Sequence, residues 1–295
     1  MTDLGTAMTD AAKAVERILE EFMPHSDDLE GRLFDAMRYS TFAGGKRLRP
    51  FLVRESARLF NVPDDYAVRA GAAVELIHTY SLVHDDLPAM DNSDLRRGQP
   101  TAHKKFDEAT ALIAGDALLT LAFEVLADGQ THPDAAVRCS LISSLAGAAG
   151  AIGMCGGQIY DLQAEDRTLD LESIKKLQAM KTGALFAYSC EAGALLAKAD
   201  TKSRQALRHY AHDLGLAFQI ADDILDAEGD EALVGKSIRR DADAGKETFV
   251  SLLGLDQAKA EAAQFARSAA NHLDLFGDKA TLLQSAAFFV VERQT

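Results

Sequence analysis

Apolar residues recur at helical spacing along almost the whole chain. The first such stripe, at i, i+3, i+4 and i+7, consists of Val15, Ile18, Leu19 and Phe22. The same spacing predicts helices at 29–43, 50–60, 64–87, 105–128, 134–163, 170–199, 203–227, 255–273 and 279–292. Strand-like alternation is nearly absent, and no linker or low-complexity segment interrupts the pattern. The sequence therefore predicts an all-α protein that forms a single domain over residues 1–295.

The composition is that of a folded chain with a strong acidic excess. Hydrophobic residues make up 47% of the 295 residues, which is enough for a sizeable core. Lys and Arg number 31 against 45 Asp and Glu, which gives a net charge of −14. Because nucleic-acid binding needs a basic surface, we expect no nucleic-acid partner. An acidic enzyme can still act on polyanions if its carboxylates hold divalent cations, which invert the local charge.

The sequence indicates a cytoplasmic protein. Cys139, Cys155 and Cys190 are odd in number and lack metal-ligand spacing, which is typical of reduced thiols. The first residues do not show the basic and then apolar pattern of a signal peptide. The longest weakly polar stretch, Leu141 to Cys155, is too short and too rich in Ser and Gly to span a bilayer. We therefore expect no integral membrane association.

Two apolar helical segments each lead into a group of aspartates. The first group, DDLPAMD, holds Asp85, Asp86 and Asp91, and the second, DDILD, holds Asp222, Asp223 and Asp226. Carboxylates at i and i+4 lie about 5–6 Å apart at Cβ and repel each other, and at a helix C-terminus they also oppose the macrodipole. Each group alone could be a solvated acidic helix end. Two such groups favour a bound cation, and oxygen-only ligands suit Mg²⁺.

Two groups of cations lie on either side of the first aspartates in the sequence. GGKRLRP at 44–50 combines two glycines with three cations, and Pro50 suits a helix N1 position, where free N–H groups favour anions. Arg96 and Arg97 follow Asp91 closely, and arginine forks suit diphosphate oxygens. An exposed basic turn, or pairing of the arginines with nearby aspartates, is the alternative. Pro88 disrupts a straight helix, so Asp91 is expected to lie on a bend or an extra turn.

Other polar residues carry weaker signals. Lys181-Thr182-Gly183 interrupts a predicted helix, and Lys236 and Lys246 each follow a glycine. His78 precedes Asp85 by two helical turns and so shares its face, where it is either a core histidine or part of a site.

These segments, in this order, resemble the trans-prenyltransferase (polyprenyl diphosphate synthase) family, and most closely its bacterial farnesyl diphosphate synthases. The resemblance runs from about Leu33 to Val291. It is carried by GGKRLRP at 44–50, the run from Leu76 to Arg97 with GQPT at 98–101, AGDALLTLAFEVLA at 114–127, GMCGGQ at 153–158, KTGALF at 181–186 and FQIADDILD at 218–226. Any one segment could match by chance, but all six in family order are specific.

The resemblance implies a fold and a reaction. The fold is a helical bundle of the isoprenoid synthase type around a deep central cavity, usually as a homodimer. The reaction is the head-to-tail condensation of isopentenyl diphosphate with dimethylallyl or geranyl diphosphate, by ionisation, condensation and elimination. Three Mg²⁺ ions are expected between the aspartate motifs and the allylic diphosphate, held by Asp85, Asp91 and Asp222 with support from Asp86, Asp223 and Asp226.

The resemblance also divides the polar residues between two substrates. The expected ligands of isopentenyl diphosphate are Lys46, Arg49, His78 and Arg97. The expected ligands of the allylic diphosphate are Arg96, Lys181, Lys236 and Lys246, while Thr182 and Gln219 face the developing cation. The family often has a proline after the aromatic residue that follows the late lysine, whereas this chain has Thr248-Phe249-Val250.

Product length is expected to depend on Tyr80. This residue lies five positions before Asp85, about 7.5 Å along the helix axis, and Ser81 beside it is small. In the family an aromatic ring at this position acts as a floor for the growing chain. The resemblance therefore implies farnesyl diphosphate as the main product, with geranylgeranyl or geranyl diphosphate as the alternative. Tyr80 can also be an ordinary core aromatic.

Three other functions compete with this one. A metal phosphohydrolase could use the His84-Asp85 dipeptide, but DDILD and GGKRLRP then remain unexplained. A terpene cyclase typically replaces the second aspartate motif. A non-catalytic subunit of a heteromeric synthase tends to lose aspartate motifs, and both are present here.

Overall fold

Helices dominate residues 3–164, 167, 169–228 and 247–292, the part of the chain that the computed structural model describes. The α-helices are α1 (Leu4–Phe22), α2 (Gly31–Thr41), α3 (Leu48–Leu59), α4 (Asp64–Asp85), α5 (Ala102–Lys105), α6 (Glu108–Ala127), α7 (Ala135–Ala149), α8 (Met154–Ala164), α9 (Leu171–Gln178), α10 (Ala184–Leu196), α11 (Thr201–Glu228), α12 (Phe249–Leu253), α13 (Leu255–His272) and α14 (Thr281–Glu292). A π-helix (Ala179–Gly183) joins α9 to α10, and a 3₁₀-helix (Asp274–Ala280) precedes α14. The predicted all-α class is confirmed.

The predicted helices agree with the observed ones except where glycines or short elements intervene. The segment predicted as one helix at 134–163 is two helices, α7 and α8. A Cβ on Gly153 would lie 2.1 Å from the carbonyl oxygen of Ala148, so the chain turns there with a residue that lacks one. The prediction of almost no strands missed a short hairpin in which β1 (Leu95–Arg96) pairs with β2 (Gln99–Pro100).

The chain is organised as two compact units. The first comprises Met1–Arg54 and Pro63–Ile142, and the second comprises Glu55–Val62 and Ser143–Thr295. The divisions fall inside α3 and α7. The single domain over residues 1–295 stays a prediction.

The first unit is built around α4. Nearly every position of this helix between Ala67 and Val83 is buried, and α6 packs along it. The face of α6 that is buried includes Ala111, Ala114 and Gly115. A Cβ on Gly115 would lie 2.0 Å from Nε2 of His84, so glycine is what allows the two helices to approach this closely. The end of α4, with its aspartates, is thereby packed closely against α6.

The second unit is built around α10 and α11. Every residue of α10 from Leu185 to Leu196 except Ala187 is buried, and α11 packs against α10, α13 and α14. Leu216, Ile220 and Phe249 belong to one buried cluster beside the C-terminal half of α11. Burying a side chain such as Phe249 contributes about 1.5–3 kcal/mol, so this cluster holds α12 against the aspartates of α11.

In the described part of the chain, two stretches have the length and apolar composition of a membrane span, Glu108–Ala127 and Ala135–Ala164, and the second is interrupted between α7 and α8. The second is longer than the Leu141–Cys155 stretch expected from the sequence. Of their most apolar windows, 44% and 28% of the residues are buried. Core helices of soluble proteins pass the same test, so this is weak evidence for a membrane span.

Candidate functional site

The first aspartates lie where α4 ends and the chain folds back. The helix ends at Asp85, and Pro88 lies in the turn that follows. The backbone N–H of Asp91 donates to the carbonyl oxygen of Asp85 at 2.8 Å, and that of Ser93 donates to Asp86 at 3.2 Å. The expected bend is therefore present, and it brings Asp91 back beside Asp85. The Asp85 side chain is partly exposed and that of Asp91 is exposed.

Asp86 is turned inward and is bound to Arg96. The residue is 3% exposed, and its carboxylate accepts hydrogen bonds from Nε and Nη2 of Arg96 at 2.8 and 2.7 Å. Burial alone would lower the pKa of Arg96, but the Asp86 carboxylate and the charges of Asp85 and Asp91 raise it above its ordinary value. Three carboxylates thus act on one guanidinium. We assign Asp86 to orienting Arg96, and its role as a metal ligand stays a prediction.

The hairpin turn places Arg97 against the glycine-rich loop. Arg97 and Gly98 have φ of +53° and +74°, the left-handed pair that a two-residue type I′ hairpin turn requires. Nη1 of Arg97 donates to the carbonyl oxygen of Gly44. A Cβ on Gly45 would lie 2.7 Å from the guanidinium carbon. The two basic groups of the sequence are therefore neighbours in the first unit.

The three cations of the GGKRLRP segment, two in the loop before α3 and Arg49 in its first turn, differ in exposure. Lys46 is exposed, Arg49 is partly buried, and Arg47 is fully buried. The expectation that Pro50 occupies N1 was wrong, because α3 begins at Leu48. Pro50 lies instead in the first turn, where its missing N–H is still tolerated.

His78 lies among the arginines of both groups. Burial lowers the pKa of its imidazole well below the usual value, and so do the positive charges of Arg49, Arg97, Arg96 and Arg47, in that order. The ring is therefore neutral at neutral pH and can donate one hydrogen bond. His78, Arg49 and Arg97 therefore form a cluster within the first unit whose donors and positive charge suit an anion.

Tyr80 is almost fully buried one turn before His84. It is 6% exposed, and its ring meets that of His84 edge-on with centroids 5.7 Å apart. Nε2 of His84 bonds the carbonyl oxygen of Leu112 at 3.0 Å. Because a carbonyl oxygen can only accept, Nε2 carries the proton. The Ser81 hydroxyl donates to the carbonyl oxygen of His78 at 2.9 Å.

The second aspartates lie in the last two turns of α11. Asp222 and Asp226 are partly exposed, whereas Asp223 is 5% exposed. The Asp223 carboxylate accepts from Nε2 of Gln219 at 3.1 Å and from the backbone N–H of Phe249 at 2.9 Å. Asp223 thus ties α11 to the start of α12, and its role as a metal ligand stays a prediction. In both pairs the first aspartate is more accessible than the second.

The π-helix carries the predicted interruption at Lys181-Thr182-Gly183. Single π turns inside helices are frequent at functional sites. Nζ of Lys181 donates to Asp161 at 2.7 Å, and the Thr182 hydroxyl donates to Oε1 of Gln219 at 3.4 Å. Thr182, Gln219 and Asp223 therefore form one hydrogen-bonded chain in the second unit.

Sequence reasoning missed Asp161. The sequence feature that could have pointed to it is Gly157 in the GMCGGQ segment before it. A Cβ on Gly157 would lie 2.3 Å from the backbone nitrogen of Lys181, so glycine lets α8 approach the π-helix closely enough for the ion pair. Two other predicted diphosphate ligands, Lys236 and Lys246, lie outside the described residues.

The exposed donors of both aspartate groups fit Mg²⁺. Carboxylate oxygens are its preferred protein ligands, and one or two of them usually suffice when waters and substrate phosphates complete the shell. Asp85 and Asp91 lie together at the end of α4, and Asp222 and Asp226 are one turn apart on α11. Within the described ranges no group of three His, Cys, Asp or Glu side chains forms a complete metal cage.

Comparison with known proteins agrees with the resemblance seen in the sequence. The polyprenyl synthetase family model matches residues 30–282. Farnesyl diphosphate synthase of Escherichia coli (strain K12) is 42% identical over 299 residues, covering 99% of both chains. Geranylgeranyl diphosphate synthase of Cyanophora paradoxa is 38% identical over 292 residues, covering 99% of this chain and 97% of the other.

A solved structure gives the same result. The crystal structure of an FPP/GFPP synthase from Zymomonas mobilis, without ligand, superposes with a TM-score of 0.91 at 49% sequence identity. The match covers 98% of this chain and 99% of the other. Family model, relatives and fold agree over nearly the whole length: the chain belongs to the polyprenyl synthetase family.

Proposed function

We propose that the protein is a prenyltransferase that condenses isopentenyl diphosphate head to tail with dimethylallyl and then geranyl diphosphate, giving mainly farnesyl diphosphate. The observation that carries this proposal is the first unit's arrangement of aspartates at the end of α4 beside a cluster of arginines and a neutral histidine. Such a cluster can hold one diphosphate directly and a second through metal ions. The family membership supports the same reaction.

Isopentenyl diphosphate is assigned to the basic cluster of the first unit. Arg49 and Arg97 lie close enough to His78 to influence it electrostatically, and Lys46 is exposed on the loop just before the helix that carries Arg49. Arginine forks match diphosphate oxygens, and the neutral His78 adds a donor without a further charge. This arrangement gives the second substrate a metal-independent site.

The allylic diphosphate is assigned to the aspartates through Mg²⁺. When bound, Mg²⁺ neutralises the charge that builds on the departing diphosphate. Arg96, held by Asp86, and Lys181, held by Asp161, add fixed positive charge. We propose three ions, held by Asp85, Asp91 and Asp222 with support from Asp226. Asp86 and Asp223 are buried against hydrogen-bond partners, so we propose that they orient Arg96 and Gln219 instead.

The chain's own residues then direct the carbon chemistry. The allylic C–O bond breaks, the isopentenyl alkene forms the new C–C bond, and a proton is lost to the released diphosphate, so no side-chain base is required. The hydroxyl of Thr182 and the amide of Gln219 are proposed to face the developing cation with their oxygen dipoles. Phe218, which packs on Phe186 with ring centroids 5.1 Å apart, is proposed as part of a wall that excludes water.

Product length is assigned to Tyr80. Its burial and its contact with His84 restrict movement of the ring, which suits a floor. A fixed aromatic floor stops elongation at fifteen carbons. Farnesyl diphosphate synthases among the relatives support this length, and the geranylgeranyl relative supports the alternative of twenty carbons less strongly.

We also propose a cytoplasmic homodimer with a single catalytic domain. Leu112 and Ile113 on α6 are 48% and 52% exposed. Large apolar side chains that are exposed side by side are typical of protein–protein contacts. A second copy of the chain is the partner that we assign to the α6 surface.

The proposed reaction is tested by incubating the protein with both diphosphates, with and without a chelator. Condensation that stops on chelation and returns with Mg²⁺ is the expected result. Hydrolysis of one substrate alone would indicate a phosphohydrolase, cyclic products a terpene cyclase, and inactivity a regulatory subunit. The phosphohydrolase is disfavoured because Nε2 of His84 is committed to the Leu112 carbonyl.

A further inference from the structure

One cation of the glycine-rich loop does not face the proposed substrate. The Arg47 side chain is 1% exposed, and its φ of +47° is a left-handed conformation that non-glycine residues rarely adopt. Nη2 donates to the carbonyl oxygen of Thr41, the last residue of α2, at 2.5 Å. Nη1 donates to Oε1 of Glu75 at 2.7 Å, and Glu16 of α1 lies 3.3 Å from Nη2. Arg47 thus joins the loop to α1, α2 and α4.

Glu75 is the buried partner of Arg47. Its side chain is 3% exposed, and it lies on α4 one turn before His78. Burial and the charge of Arg47 lower the pKa of Arg97, while the charge of Glu75 opposes them. Glu75 therefore offsets positive charge in the cluster that is assigned to isopentenyl diphosphate, and it does so from a position that solvent does not reach.

The loop needs such an anchor for a physical reason. Residues 44–47 have no regular secondary structure, and Gly44, Gly45 and Arg47 all have positive φ. Their backbone is therefore not held by a helix or strand ladder. Unfavourable backbone conformations persist only when the surroundings fix them, and the bonds of Arg47 do this. Lys46 and Arg49 flank Arg47, so the anchor sets where their charges lie.

We infer that Arg47 and Glu75 are positioning residues for isopentenyl diphosphate, which hold Lys46 and Arg49 in place without touching the substrate. This inference rests on the proposed function, because it concerns the binding site for the second substrate of that reaction. The pair acts through geometry, since a single bidentate-capable guanidinium reaches three elements at once.

The test uses variants that keep every charge and change only the geometry. Arg47→Lys retains the cation but loses the planar fork. Glu75→Asp retains the anion and withdraws it by about 1.5 Å, one C–C bond. Because the net charge is unchanged, a change in affinity reports where the charged groups lie and not how many there are. We expect each variant to raise the KM for isopentenyl diphosphate about tenfold and to leave the allylic KM within about twofold.

Arg69→Lys is the matched control. Arg69 is a buried arginine of the same unit, 4% exposed, that bonds Thr131, Gln130 and Asp128. It lies six residues before Glu75 on α4, and its hydrogen bonds in the described part of the chain go to none of the predicted substrate ligands. We expect Arg69→Lys to lower the melting temperature as Arg47→Lys does, and to leave both KM values unchanged.

Calorimetric titration of isopentenyl diphosphate without Mg²⁺ provides a readout that does not depend on turnover. Weaker binding by Arg47→Lys and Glu75→Asp, with unchanged binding by Arg69→Lys, supports the inference. Two outcomes overturn it: both KM values rise together, or isopentenyl binding stays within twofold of the wild type. If Arg47→Lys does not fold, Glu75→Asp decides alone. A wild-type protein that does not condense the two substrates contradicts the proposed function instead.

Discussion

Replacing Asp86 with Asn separates two roles that an aspartate of this motif can play, namely orienting an arginine and binding a metal ion. Asp86 is bound to Arg96 through two charge-assisted hydrogen bonds of 2.8 and 2.7 Å. The two side chains are 4% and 34% exposed. Removing one partner from a buried ion pair costs about 3–5 kcal/mol. Because water can reach part of Arg96, we expect a cost below that range, about 2–3 kcal/mol, for Asp86→Asn.

That loss has measurable consequences for stability and rate. At about 2 °C per kcal/mol for a chain of this size, the melting temperature falls by about 5 °C. Arg96 loses its fixed orientation, and a displacement of about 1 Å at a reacting centre costs about 100-fold, so kcat/KM for the allylic substrate falls by about that factor. The Mg²⁺ concentration for half-maximal activity stays within about twofold, because Asp86 faces Arg96 and not solvent.

Asp85→Asn is the matched control for this assay. Asp85 is partly exposed whereas Asp86 is buried, so we expect Asp85→Asn to lower the melting temperature by less than Asp86→Asn does. Activity falls by several orders of magnitude, and the Mg²⁺ midpoint rises. The orienting role of Asp86 is refuted if Asp86→Asn raises the Mg²⁺ midpoint tenfold while leaving the melting temperature unchanged, since Asp86 would then be a metal ligand.

Three further predictions concern other parts of the proposed site. Tyr80→Ala removes the aromatic floor and shifts the products to twenty carbons or more, which chromatography detects. Unchanged product length in an active variant would contradict this role of Tyr80. Asp161→Asn releases the Nζ of Lys181, so the allylic KM rises about tenfold while the isopentenyl KM does not, and steady-state kinetics showing equal changes would contradict this. The pKa of His78 is lowered on folding, so the unfolded chain takes up that proton first as pH falls below about 6.5, and stability is lost there. His78→Gln should make the melting temperature fall less steeply below pH 6.5, and an unchanged pH profile would contradict the assignment.

The helices could be predicted from the sequence because their apolar spacing repeats over many turns. The hairpin could not, because each strand has only two residues and its turn depends on Arg97 and Gly98 adopting positive φ. The break between α7 and α8 was also missed. It depends on the close approach of Gly153 to the Ala148 carbonyl, which no periodicity encodes.

The sequence predicts which residue types form the candidate site, but not which aspartate of each pair is exposed and which is buried. Successive helical residues point about 100° apart, so the two aspartates of each pair meet different surroundings, but the sequence does not say which one is buried. Asp86 faces inward because the hairpin supplies Arg96, and Asp223 does so because the N–H of Phe249 meets it. Both partners lie outside the turn that carries the aspartate, so only the folded chain identifies them.

The measurement that tests the central claim most directly is the chain length of the product. The purified protein is incubated with Mg²⁺, dimethylallyl diphosphate and excess isopentenyl diphosphate, and the products are dephosphorylated and separated by chromatography. We predict a fifteen-carbon product, preceded at early times by a ten-carbon intermediate. A main product of twenty or more carbons would contradict the role of Tyr80, and no condensation product at all would contradict the proposed reaction.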